Sequence, residues 1–240
     1  MAYHGYIDFI SKFAGSFSNP TVLEIGVDKG QTLFPVTNYL TKVCNSSERK
    51  FLYTGVDVLL REHVKIASHH INAENWRNEV KNGFIQLYEE NSLSVLPRIA
   101  SDGFKYSTVL VDGDHNYKTV SEELKFAQAL VNEEGIIICD DYDGEGGSQD
   151  EYFSEQDGNF YDESEINENI QNLMTRESVD CGQKVGVKGA VDEFLENNPE
   201  WGTYKFYTGE PPIILYRKDT MNIFTHIENG SSRIGWKFLR

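Results

Sequence analysis

Basic side chains are scarce in this sequence: 22 Lys and Arg stand against 38 Asp and Glu in 240 residues, a formal net charge of -16. A field of that sign repels phosphate backbones and anionic lipid surfaces, so neither nucleic acid nor membrane is expected as a partner. Cysteine is rarer still. Cys44, Cys139 and Cys181 are odd in number and widely spaced, which leaves no disulfide framework and no Cys-x-x-Cys zinc site. No apolar run approaches the ~20 residues a bilayer span needs, and Met-Ala-Tyr-His-Gly has none of the basic-then-apolar order of a secretory leader. The expectation is a soluble cytoplasmic protein, in which the Asn-x-Ser triplets at Asn45 and Asn229 carry no glycan.

What is present is the balance of a folded chain, with 39% hydrophobic and 25% charged residues and a length suited to one core, so residues 1–240 are expected to form a single domain. Short runs rich in Val, Ile, Leu, Phe and Tyr read as strands over Thr21–Gly26, Phe51–Val58, Gly83–Tyr88, Tyr106–Asp112 and Gly135–Asp140. Between them, Gly30–Val43, Glu62–Lys81, Ser92–Ala100 and Tyr117–Asn132 have helical spacing. Alternation of this kind implies a Rossmann-like, doubly wound, mainly parallel sheet. Val109-Leu110-Val111 and Ile136-Ile137-Ile138 lack polar alternation, as central strands do, and each leads directly to aspartate or, after Cys139, to Asp140. Ligands of such sheets sit beyond the carboxyl ends of the strands, where these acids lie. A later helix over Val185–Asn198 and two strands, Gly202–Thr208 and Pro212–Arg217 around the turn Gly209-Glu210-Pro211, complete the pattern as an antiparallel pair. The tail Asp219–Arg240 has no assignable element.

Val22-Leu23-Glu24-Ile25-Gly26-Val27-Asp28-Lys29-Gly30-Gln31-Thr32 reads as strand, tight turn and helix start. Gly26 and Gly30 let the backbone approach a ligand without a Cβ in the way. Nicotinamide sites use G-x-G-x-x-G, and here Asp28 stands at the second glycine. The E-x-G-x-x-x-G turn resembles instead the first motif of class I S-adenosylmethionine-dependent methyltransferases, with an expected seven-stranded sheet. That resemblance implies Glu24, Gly26, Gly30 and Thr32 around the amino-acid end of S-adenosylmethionine, Asp57 on the ribose hydroxyls and Asn91-Ser92 beside the adenine.

Asp112, ending the fourth strand, and Asp140-Asp141, ending the fifth, are brought side by side by one strand-helix-strand unit. Three gathered carboxylates repel one another unless cations or protons compensate, and hard oxygen donors suit Mg²⁺, Mn²⁺ or Ca²⁺. Asp112-Gly113-Asp114-His115-Asn116-Tyr117 followed by Asp140-Asp141-Tyr142 resembles the metal-dependent O-methyltransferases of small molecules, the group of the mycinamicin and novobiocin sugar methyltransferases, and more distantly catechol O-methyltransferase. The likeness runs from about Val22 to Arg217. It implies Asp112, Asp140 and Asp141 as metal ligands, with Asp112 also facing the cofactor, His115 as general base, an acceptor that is a sugar or glycosylated metabolite, and assembly as a homo-oligomer. Asp114 is read as the cap of the following helix ahead of a supporting role behind the metal ligands, and His69-His70 as a surface pair.

Tyr142–Gly182 carries twelve acids against the single Arg176. Two readings stay open for this insert: a lid whose Phe153, Phe160 and Tyr161 pack on a sugar face, or a solvated loop. Asp141–Gly146 resembles the start of a calcium-binding EF-hand loop, but Tyr152 stands where the twelfth-position Glu belongs. Other functions also stay open: a metal-independent O- or N-methyltransferase in which Asp140-Asp141 only orient the acceptor, and a non-catalytic nucleotide-binding module.

Overall fold

The computed structural model describes residues 4–77, 83–144, 147–153, 160–162, 185–205 and 212–220. Among the described residues the strands are β1 (Thr21–Ile25), β2 (Phe51–Asp57), β3 (Gly83–Glu89), β4 (Tyr106–Val111), β5 (Val131–Cys139), β6 (Glu151–Phe153), β7 (Phe160–Asp162), β8 (Trp201–Lys205) and β9 (Ile213–Arg217). The α-helices among them are α1 (His4–Ser16), α2 (Leu33–Asn45), α3 (Glu62–Arg77), α4 (Ser92–Ser101), α5 (Tyr117–Leu130) and α6 (Gly186–Asn197). Seven strands form one sheet in the order β3-β2-β1-β4-β5-β9-β8. β1 to β5 are parallel, and β9 runs antiparallel to both β5 and β8. This is the Rossmann-like sheet with its antiparallel C-terminal pair that the sequence pattern led us to expect. Winding reverses at β1, between β2 and β4, so the crevice of the fold opens at the tips of these strands.

The unbroken apolar strands are explained by their two buried faces. Along β4 and β5, Leu110, Ile136 and Ile138 face one cluster with α1 and α2, where Phe9, Ile10, Phe13, Val36 and Leu40 lie; Val109, Val111, Ile137 and Cys139 face the other, with Leu96, Leu124 and Val191 from α4, α5 and α6. Each such aliphatic side chain, removed from water, contributes about 1.5–3 kcal/mol, which is why polar alternation is absent from the middle of the sheet.

Some elements depart from the sequence pattern. α1 was not anticipated, although Tyr6, Phe9, Ile10, Phe13 and Ala14 are all buried and recur with helical spacing. α2 starts at Leu33, later than Gly30, because the glycine turn continues through Thr32; Pro35 then falls in the first helical turn, where its missing N–H is tolerated. β5 begins at Val131, with a register irregularity against β4 between Tyr106 and Thr108. β6 and β7 pair antiparallel inside the acidic insert.

Lys81 at the expected end of α3, Cys181, the side chains of Phe153, Phe160 and Tyr161, the turn Gly209-Glu210-Pro211 and the tail beyond Thr220 lie outside the described residues. Among the described residues, no helix is long and apolar enough to cross a membrane.

Candidate active site

The glycine turn after β1 is forced by close backbone approach. Gly26 has φ +87°, and a Cβ on it would lie 1.8 Å from the carbonyl oxygen of Asp112. Its N–H donates to Val56 O at 2.9 Å while Asp112 N–H donates to Ile25 O at 2.9 Å, so the tips of β2, β1 and β4 are tied across this residue. Asp28, in place of the second glycine of a nicotinamide motif, takes φ +40°, a conformation that Asp tolerates. Asp57 fixes the turn from β2: its Oδ2 accepts the N–H groups of Val27 and Asp28 at 2.7 and 2.8 Å, and its Oδ1 accepts Leu59 N–H at 2.8 Å. Each carboxylate oxygen has two lone pairs, so Oδ1 keeps acceptor capacity for a ligand hydroxyl.

Above the turn lies a cleft of about 410 Å³. Of the residues singled out from sequence, Glu24, Gly26, Thr32, Asp57, Ser92, Asp112, His115, Asp140 and Asp141 wall it. Gly30 and Asn91 stand behind it. Gly30, at φ +74°, shapes the turn against the ring of Phe34, and Asn91 caps α4 by accepting Leu93 N–H at 2.9 Å.

At the far end of the cleft the carboxylates converge. Asp140 N–H donates to Val111 O at 3.0 Å, extending the β4–β5 ladder one residue beyond the strands so that Asp112 and Asp140 emerge side by side. Burial, then the charges of Asp112 and Asp141, holds the Asp140 carboxyl well above the usual carboxylate range. Asp141 has φ +53°, the left-handed conformation that Asp adopts more readily than most residues. His115 sits among these acids, with Nε2 3.7 Å from Asp112 Oδ1 and Nδ1 3.2 Å from Asp141 Oδ2. Burial alone would lower its pKa, but the nearby carboxylates of Asp112, Glu151 and Asp141 outweigh that and push it up to about 10. Asp140 Oδ1, buried, finds no hydrogen-bond partner among the described residues. An orphaned carboxylate oxygen beside two further acids is a donor set that fits a hard divalent cation. Among the described residues no three acids, histidines or cysteines stand as a ready-made metal cage.

A family model described as a methyltransferase domain matches residues 23–142, half of the chain. The chain belongs to the class I S-adenosylmethionine-dependent methyltransferases. Among solved structures, the methyltransferase is similar to an O-methyltransferase from Bacillus cereus in complex with S-adenosylhomocysteine, at 14% identity and TM-score 0.50, covering 90% of this chain and 81% of that one. It is similar also to CalS11, a calicheamicin methyltransferase, at 11% identity and TM-score 0.50, covering 89% of this chain and 77% of that one. It spans 48% of the length of the mycinamicin methyltransferase MycE, at 14% identity and TM-score 0.46 over 88% of this chain. At these identities the likeness is one of fold. No curated protein matches at the level of sequence.

Several residues of the methyltransferase site escaped the sequence pattern. Tyr6 of α1 lines the cleft with its hydroxyl 3.4 Å from Thr32 Oγ1; burial, then Asp112 and Asp140, raises its pKa strongly, so it remains a neutral phenol. Helical spacing before β1 was the signal that would have found it. Glu123 of α5 reaches the cleft from the buried face and accepts Ser92 Oγ–H at 2.6 Å; a lone acid in an amphipathic helix gives no such signal. Asp114 is not the cap of α5. Asn116 is, accepting Thr119 N–H at 2.9 Å, while Asp114 accepts the Thr119 hydroxyl at 3.3 Å. His69 and His70 are exposed, as expected of a surface pair.

Proposed function

We propose that this methyltransferase methylates a hydroxyl of a sugar or glycosylated small molecule, with Asp112, Asp140 and Asp141 holding a divalent cation and His115 acting as general base. Mg²⁺ or Mn²⁺ suits the three carboxylates, with Ca²⁺ as the alternative. The supporting observation is the crowding at the strand tips: a buried Asp140, with one oxygen unpartnered, packed against Asp112 and Asp141 beside an imidazole.

S-adenosylmethionine, when bound, supplies an electrophilic methyl group open to in-line displacement. A divalent cation, when bound, supplies Lewis acidity that makes a weakly acidic hydroxyl easier to ionise. The protein's own part is placement. Glu24, Gly26 and Thr32 receive the amino-acid end of the donor, Asp57 accepts from the ribose hydroxyls, and Ser92, with Asn91 behind it, borders the adenine. His115 takes the acceptor proton. A base must be unprotonated, and the carboxylates around His115 hold its proton tightly; engaging their charge releases the ring toward its ordinary pKa of about 6.5. The acidic surface favours a small-molecule acceptor over nucleic acid, and further copies of the chain are the expected assembly partners.

The second reading is a metal-independent O- or N-methyltransferase in which Asp140 and Asp141 orient the acceptor. The lack of a ready-made cage among the described residues favours it. The deciding experiment couples an acceptor screen by mass spectrometry to metal titration. Turnover should vanish in EDTA and return with Mg²⁺ or Mn²⁺; full turnover in EDTA supports the second reading, and no calorimetric binding of S-adenosylmethionine removes both.

A further inference from the structure

The acidic insert begins as part of the site and not as an appendage to it. Asp150, nine-tenths buried, uses a single oxygen, Oδ1, to accept two backbone N–H groups at 2.7 Å: that of Tyr117, the first residue of α5, and that of Gly186, the first residue of α6. A carboxylate at a helix N-terminus is favoured by the free amides and the aligned peptide dipoles, and here one carboxylate serves two helices. In the chain α5 precedes the insert, with β5 between them, and α6 follows it. The next residue, Glu151, donates its N–H to His115 O at 3.5 Å in an isolated antiparallel bridge, and its Oε2 lies 3.7 Å from His115 Nδ1. His115 is therefore tied through its own carbonyl by Glu151 and, two residues on, through Tyr117 N–H by Asp150. Asn116 caps α5 between these two ties.

We propose that Asp150 and Glu151 are positioning residues for His115: the start of the insert clamps the base loop, Asp150 through the first turn of α5 and Glu151 through backbone and carboxylate. The assignment rests on the reading of His115 as the base. Asp150 reaches the imidazole through the backbone of the following residues, so its removal should displace the ring while the β1–β2 end of the cleft, which receives the donor, stays intact.

The test uses full-length protein with ¹³C-labelled histidine, saturated with S-adenosylhomocysteine. The chain has six histidines, and the signal of His115 is identified by its loss in His115→Asn. In Asp150→Ala the His115 ring signal should shift or split while those of the other five hold, and amide exchange over 113–118 should quicken at least ~10-fold, the equivalent of about 1.4 kcal/mol of lost protection. Asp150→Asn, which keeps an accepting oxygen, should restore both. S-adenosylhomocysteine affinity by calorimetry should stay within about 3-fold of wild type, because a shift of under 1 kcal/mol is what an undisturbed donor end allows. An unmoved His115 signal in Asp150→Ala overturns the proposal, and so does a shift shared equally by all six histidines. If Asp150→Ala does not fold, Glu151→Gln decides, since the same null result there is equally fatal. Undiminished turnover by His115→Asn would remove the base assignment while leaving the structural coupling measurable.

Discussion

Tyr53 of β2 donates its hydroxyl to Oε2 of Glu24 on β1 at 2.8 Å, and both side chains are buried in the sheet below the glycine turn. Burial is the main reason that the Glu24 carboxyl is raised well above its ordinary value; Tyr53 opposes the shift by hydrogen bonding, and Asp112 and Asp57 add to it. A carboxyl raised by folding contributes stability that is fully present below its unfolded pKa and is lost as pH climbs toward its folded one. The loss begins near pH 4.3 and proceeds at about 1.4 kcal/mol per pH unit until the folded pKa is reached. Glu24→Gln keeps an oxygen for Tyr53 and removes the titration. Its melting temperature should match wild type near pH 4 and exceed it at pH 7, while S-adenosylmethionine binds more weakly in calorimetry. A variant less stable than wild type at pH 7 would contradict the buried-charge account.

Asp57 allows a separate test at the donor end. Its carboxylate accepts three backbone N–H groups of the turn region, each such charge-assisted bond being worth about 1.5–3 kcal/mol when broken one-sidedly. Asp57→Ala should therefore lose at least about 3 kcal/mol in chemical denaturation, and calorimetry should find donor affinity reduced at least ~100-fold, since about 2.7 kcal/mol of ribose hydrogen bonding disappears too. Asp57→Asn keeps only some of these acceptors and should fall between. Unchanged donor affinity in Asp57→Ala would remove this residue from the ribose site.

The strand pattern, the order of elements and the acids at the strand tips were legible because each follows from local chemistry: unbroken apolar runs for strands buried on both faces, glycines where the backbone crowds, and aspartates where strands end. What escaped depended on distance. Tyr6 reaches Thr32 and Glu123 reaches Ser92 across segments far apart in the chain, and no spacing rule links them. Asp57 was read as a ribose acceptor, and its second task, holding the amides of Val27 and Asp28, needed the turn in place to be seen. Asp114 and Asn116 are both good caps by residue type, and only the helix start at Tyr117 chooses Asn116. Composition made the insert look uniform, yet Asp150 is buried on the starts of two helices and Glu151 bridges to His115.

Gly26 is open to a steric test. With φ +87° and a Cβ position 1.8 Å from the Asp112 carbonyl oxygen, Gly26→Ala can be accommodated only if β1 and β4 part at their tips. The expected loss is at least ~3 kcal/mol in denaturant unfolding, combining left-handed strain with a backbone clash. Donor binding should fall with it, because the parted tips carry both the glycine turn and Asp112. Gly103 is the control: it also has a positive φ, but an added Cβ meets nothing within 4 Å, so Gly103→Ala should cost only about 1 kcal/mol of strain.

Asp140 separates the stability of the free protein from its response to metal. Burial and the neighbouring Asp112 and Asp141 raise its carboxyl, so its contribution to stability is present below about pH 4 and is lost progressively as pH rises above the unfolded carboxylate value. Replacing it with a neutral isostere relieves that loss, and metal-free Asp140→Asn should melt above metal-free wild type at pH 7.5. A cation bound to the native state stabilises by mass action, about 2.7 kcal/mol at one hundred times its dissociation constant, which for a chain of this size raises the melting temperature by roughly 5–10 °C. Wild type should show that rise with Mg²⁺ or Mn²⁺, and Asp140→Asn should show little of it. The two measurements are independent. A metal response retained in full by Asp140→Asn removes Asp140 from the ligand set, whereas a metal-free Asp140→Asn that melts below wild type means that crowding at the strand tips is already relieved in the free protein, leaving a cation no repulsion to neutralise there.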